Sequence, residues 1–109
     1  MGWLVFALVV RFDCRDEACA AAFDRLTADT APGIAAREPG TLTYVTAAVE
    51  GEPLARVFFE VYRDREAFEE HERQPHAVRF LREREQYLSG VRVEFLTVGP
   101  AKGIGVDRG

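Results

Sequence analysis

The fold class predicted by the sequence is α+β: four antiparallel strands with helices on one face, in the order β-α-β-β-α-β, the second helical segment being split. Three observations predict it. Trp3 to Val10 is an apolar run with no polar alternation, the pattern of a strand covered on both faces. Two further runs rich in β-branched and aromatic residues, Thr41–Val49 and Leu54–Tyr62, are separated only by Glu50-Gly51-Glu52-Pro53, so they form an antiparallel hairpin. Segments with apolar residues at helical spacing flank that hairpin, and this element order is the ferredoxin-like split βαβ arrangement.

After the first strand, Asp13 is expected to cap a helix whose first turn carries Asp16 and Glu17. Cys19, Ala22, Phe23 and Leu26 form its apolar stripe. Pro32-Gly33 should kink, interrupt or end it, with a resumed turn at Ile34–Ala36, and Glu38-Pro39-Gly40 closes the segment. Behind the hairpin, Asp64 caps a short helix bearing Ala67, Phe68 and His71 on one side. Gln74-Pro75 breaks it, since the residue before Pro is pushed out of the α region. Pro75 then opens another helix that runs from His76 to about Leu88, with Ala77, Phe80, Leu81, Arg84 and Leu88 in register, and stops at Ser89-Gly90. Val91–Val98 is the last strand.

With 109 residues, 48% of them hydrophobic and eight of them Phe, the chain forms one domain over residues 1–99 with a real core. Residues 100–109 are a Gly-rich polar tail. A net charge of −4 argues against nucleic-acid binding, which needs a basic patch. No apolar stretch is long enough to span a bilayer, and no signal peptide is evident. Two closely spaced cysteines, Cys14 and Cys19, suit a reduced cytoplasmic protein better than a disulfide framework. Helices on one layer cover one face of the sheet, so the doubly apolar first strand predicts a homodimer with sheets packed face to face.

Two ionisable groups stand where apolar residues are expected. Glu60 lies within Val57–Tyr62, and His71 lies on the helix face of Ala67 and Phe68. A carboxylate in a strand core is costly unless paired or neutral, and an ionisable pair in an apolar pocket suits proton transfer. His71 is the candidate general base, and Glu60 the candidate that orients it or acts as base itself. Either could instead be a satisfied structural group. Strand alternation puts Phe58, Glu60 and Tyr62 on one face. Tyr44, Tyr62, Phe58 and His76 are candidate pocket residues for an aromatic ligand; Arg63, Tyr87 and Trp3 could join them. His71-Glu72-Arg73-Gln74-Pro75-His76 misses the zinc motif H-E-x-x-H by one residue, and Pro75 breaks the helix that would align its histidines. A metal site is therefore not expected. Gly103-Ile104-Gly105 has no helix after it and is not a dinucleotide loop.

Glu38-Pro39-Gly40-Thr41-Leu42-Thr43-Tyr44, Phe59-Glu60-Val61-Tyr62-Arg63-Asp64, Ala67-Phe68-Glu69-Glu70-His71 and Pro75-His76 together resemble the antibiotic biosynthesis monooxygenase family over roughly residues 3 to 99. The resemblance implies a dimeric α/β barrel and a cofactor-independent monooxygenase acting on an electron-rich aromatic such as a quinol or anthrone. No flavin, haem or metal motif is expected, so the substrate would supply the electrons. The haem-degrading branch fits poorly: the first strand has no Asn, His71 holds the Trp position, and Leu81 stands ten residues on. Two alternatives use the same fold: an isomerase or tautomerase of a small carbonyl compound, and a non-catalytic ligand-binding dimer.

Overall fold

The computed structural model describes residues 5–103. Trp3 and Leu4, expected to start the first strand, lie outside them, as does most of the tail, residues 104–109. The elements are β1 (Phe6–Cys14), α1 (Glu17–Arg37), β2 (Thr41–Ala48), β3 (Ala55–Tyr62), α2 (Arg65–Arg73), α3 (Pro75–Glu83), a 3-10 turn (Arg84–Gln86) and β4 (Leu88–Thr97). The sheet is antiparallel in the order β2-β3-β1-β4, as the ferredoxin-like reading requires.

Register sorts the side chains. Leu8 pairs with Glu60 and Phe95, Val10 with Phe58 and Val93, and Phe12 with Arg56 and Val91. Paired residues share a face, so Leu8, Val10, Phe12, Phe58 and Glu60 all look toward the helices. α1 buries Ala20, Phe23, Leu26, Thr30 and Ile34, a stripe at helical spacing. Phe12 is the hub of the core, with ring centroids 4.6 Å from Phe58, 4.9 Å from Phe23 and 6.2 Å from Phe80. A bidentate pair from Arg56 to Asp24, 2.8 and 3.0 Å, ties β3 to α1.

Three boundaries differ from the sequence expectation. Asp13 is not the cap of α1: it stays in β1, paired with Ala55 and Gly90. Asp16 caps instead, accepting from the Cys19 amide at 2.8 Å. Pro32 does not interrupt α1, which is continuous through it. A proline costs the helix the bond to the carbonyl four residues back; here that carbonyl belongs to exposed Ala28, where water can serve. α3 ends at Glu83, not near Leu88, and Ser89-Gly90 begins β4 where a helix stop was expected. Leu88 is buried opposite Cys14, and Ser89 Oγ donates to the Asp13 carbonyl at 3.2 Å, so sheet pairing overrides the local helical pattern.

The helices leave most of β4 uncovered, touching it where Phe68 of α2 meets Phe95, ring centroids 6.1 Å apart. Val91, Val93 and Phe95 face the helix side yet stay exposed, Phe95 by 57%. The opposite face of the sheet carries Ala7 and Val61, both fully buried, half-buried Val9 and Phe59, and exposed Val45 and Leu96. No helix among the described residues is long and apolar enough to cross a membrane.

Candidate functional site

The site is built around a residue that the sequence reading passed over. Glu38 is the C-cap of α1, and its side chain is only 3% exposed. Gly40 and Arg63 close the backbone behind it, the Arg63 amide donating to the Gly40 carbonyl at 2.8 Å. Glu38 Oε1 accepts from Thr41 Oγ1 at 2.7 Å and pairs with His71 Nδ1 at 2.7 Å. Its Oε2 pairs with His76 Nε2. α2 delivers His71 and the first turn of α3 delivers His76. The break at Gln74-Pro75 that spoils a zinc helix lets the two rings straddle one carboxylate.

Two glycines allow the approach. A Cβ at Gly33 would lie 2.5 Å from His76 Nδ1, and one at Gly40 would lie 2.6 Å from the Ala67 Cβ. Side chains there would push α3 and α2 outward and away from Glu38.

Burial raises the pKa of Glu38, but hydrogen bonds from His71, Thr41 and His76 outweigh it and hold the carboxyl below its ordinary range. An ionised carboxylate only accepts, so each imidazole keeps a proton on the nitrogen facing Glu38. The other nitrogen of His71, Nε2, is engaged by no described residue, while the other nitrogen of His76, Nδ1, is tucked against Gly33.

His71 also lines a cavity of about 110 Å³ between sheet and helices. Leu8, Val10, Phe12, Phe80, Tyr44, Glu60 and Arg84 line it too, with Val93 and Phe95 on the open β4 side. Of the expected site residues, His71, Glu60 and Tyr44 therefore meet at this cavity. Phe58, Tyr62 and His76 do not line it. Phe58 is buried within the helix-side core, Tyr62 is fully buried, and His76 stands behind Glu38.

The expected Glu60–His71 pair is replaced by two others. Glu60 Oε1 accepts from Tyr62 Oη at 2.5 Å, because the two are neighbours on one face of β3, while His71 is held by Glu38. Burial pushes the Glu60 carboxyl up, and Glu38 and Glu72 push the same way. The Tyr62 bond and the charge of His71 offset only part of this. Burial first and the charges of Glu60 and Glu38 second also raise the phenols of Tyr44 and Tyr62, so both stay neutral, and Tyr62 donates to Glu60.

Glu60 therefore weakens the fold when it ionises. A raised native pKa favours folding at low pH and penalises it as pH rises through the native value. Glu60→Gln should accordingly melt above wild type at pH 7–8, its amide oxygen still accepting from Tyr62. The gap should close near the ordinary carboxylate value of 4.5, as thermal melts across pH would show.

Glu38 had a signal in the sequence. A carboxylate at a helix C-terminus opposes the helix dipole, so an acid there has a partner to find. Arg84 had one as well, standing in register with Ala77, Phe80 and Leu81.

Residues 5–83 match the sequence profile of the antibiotic biosynthesis monooxygenase family. No curated protein matches the chain. Among solved structures, Rv0793 from Mycobacterium tuberculosis is similar at 26% identity over 91% of this chain and 97% of that one, with a TM-score of 0.78. PA3566 from Pseudomonas aeruginosa is similar at 25% identity over 89% and 96%, TM-score 0.76. A Caulobacter crescentus CB15 protein, provisionally named an antibiotic biosynthesis monooxygenase, shares the fold at 22% identity over 88% and 91%, TM-score 0.81.

Proposed function

The chain belongs to the antibiotic biosynthesis monooxygenase family, and from that premise we propose that it oxidises a small electron-rich phenol with O₂, without a cofactor. The observation that carries the reading is His71: its Nδ1 is held by buried Glu38 while its ring borders an apolar cavity. His71 Nε2 takes a phenolic proton, and the Glu38 carboxylate stabilises the imidazolium that forms. Imidazole is suited to this because its unperturbed pKa lies near operating pH.

The deprotonated ring then reduces O₂. For a hydroquinone the balance is hydroquinone plus O₂ giving a hydroxyquinone plus water. One oxygen atom bonds to a ring carbon, the other leaves as water, and the ring supplies all four electrons. The apolar walls from Leu8, Val10, Phe12 and Phe80 keep water from the reacting anion. Size narrows the substrate class. The cavity of about 110 Å³ is smaller than the engineered cavity of about 150 Å³ that holds benzene, so even one ring extends toward the open β4 side, and a fused polycycle such as an anthrone fits less well.

Oxygen uptake with a panel of single-ring hydroquinones tests this. Uptake above the protein-free rate is expected for at least one; none for any would sink the reading. Anaerobic proton exchange beside a carbonyl, without uptake, would favour an isomerase instead.

We propose with it a homodimer closed over the far face of the sheet, supported by half-buried Val9 and Phe59 and exposed Val45 and Leu96 there. Cytoplasmic residence is proposed on the unpaired Cys14 and Cys19. Sedimentation at micromolar concentration should give about twice 12.2 kDa, and a stable monomer would contradict the closure.

A further inference from the structure

We propose that Arg84 is an anion-binding residue of the cavity and that the natural ligand is a single-ring aromatic carboxylate. Arg84 sits in the 3-10 turn after α3 and lines the cavity. Its side chain is 20% exposed, and its Nε is buried with no hydrogen-bond partner among the described residues. The nearest acid is Glu85, whose Oε2 stands 4.0 Å from that Nε on a side chain 74% exposed, which is beyond hydrogen-bonding distance.

Other arginines are placed differently. Arg11, Arg15, Arg56, Arg73, Arg79 and Arg92 donate to acids or carbonyls. Arg25, Arg37, Arg63, Arg65 and Arg82 are exposed to water. Among the described residues Arg84 alone is both shielded and without a hydrogen bond.

The surroundings hold its charge in place without neutralising it. The guanidinium carbon lies 5.7 Å from the centroid of Phe12 and 6.0 Å from that of Phe80, within cation–π range. Its charge reaches into the cavity far enough to act on the Tyr44 phenol. A guanidinium offers a planar fork that matches a carboxylate, and a buried donor without an acceptor is a standing cost that such a ligand removes. Glu60 and Glu72 line the same cavity and repel an anion wherever Arg84 does not meet it, so the carboxylate has one place to dock. The ring then lies against Phe12 and Phe80.

Combined with the monooxygenase reading, on which the choice of a dihydroxy ring rests, the substrate class is a hydroquinone carboxylate. The anion site itself is tested by binding, without turnover. Titrate the protein anaerobically with 2,5-dihydroxybenzoate and with its neutral amide, 2,5-dihydroxybenzamide. Wild type should prefer the carboxylate by about tenfold or more, the worth of a charge-assisted hydrogen bond. Arg84→Met, which keeps the apolar contact with Phe12 and Phe80, should erase the preference, and Arg84→Lys should retain part of it.

Equal affinity for acid and amide in wild type would overturn the proposal, and that comparison needs no variant. An undiminished preference in a folded Arg84→Met protein would overturn it as well, as would no binding of the carboxylate at about 10 mM, the weak end of specific affinity. Tight, Arg84-dependent binding without oxygen uptake would leave the anion site standing and count against the monooxygenase reading alone.

Discussion

Replacing Glu38 with Ala should lower the melting temperature by more than about 10 °C. The carboxylate is nearly wholly buried and satisfies Thr41, His71 and His76 together. Removing one partner of a buried hydrogen-bonded pair costs about 3 kcal/mol, and each kcal/mol is about 4–8 °C for a domain of this size. The loss should depend on pH with a definite sign. The Glu38 carboxyl is held below its ordinary range, so its stabilisation is present above that range and fades as pH falls through the native value. Wild type and Glu38→Ala should therefore converge in acid. Calorimetry across pH checks this, and a deficit that stayed constant down to strong acid would mean that the cap, not the charge, holds the site.

His71→Gln should reduce turnover per folded molecule by about 10²–10⁴, the usual worth of a general base, and His76→Gln should not. Both rings lean on Glu38, so both substitutions should cost stability to a similar degree. They differ in what the remaining nitrogen sees: His71 borders the cavity, whereas His76 Nδ1 faces α1 at Gly33. Rate and melting temperature measured on the same two proteins separate a base from a brace. Equal losses of rate in both variants would mean that the cluster only supports the fold.

How much of this was legible in the sequence depended on the range of the interaction. The strands and the hairpin were readable from Thr41–Tyr62 because alternation and turn residues are local signals. Asp64 and Pro75 marked their helix starts for the same reason. Glu60's face followed from the two-residue period of β3, and the register with Leu8 places it toward the helices. What failed was pairing across the fold. Glu60 and His71 were the conspicuous pair because each interrupts an apolar pattern, but Glu60 meets Tyr62 two residues away and His71 meets Glu38, 33 residues before it. Glu38 was hidden in a helix-ending Glu-Pro-Gly, where an acid looks like surface. Its odd position at a negative helix end was the one local clue. Likewise Ser89-Gly90 looked like a stop because the strand there is dictated by Asp13, 76 residues from Ser89, and by Cys14, which pairs with Leu88.

The catalytic acid–base unit we propose is Glu38 with His71, and not Glu60 with His71. Oxygen uptake by wild type, Glu38→Gln and Glu60→Gln on one hydroquinone tests it most directly, with rates taken per folded molecule. A neutral amide at position 38 still holds a ring nitrogen but cannot stabilise an imidazolium, so Glu38→Gln should be slowed by at least about tenfold, one unit of lost charge stabilisation on the rate scale. Glu60→Gln should stay near wild type. A slow Glu60→Gln beside a near-normal Glu38→Gln would contradict the account.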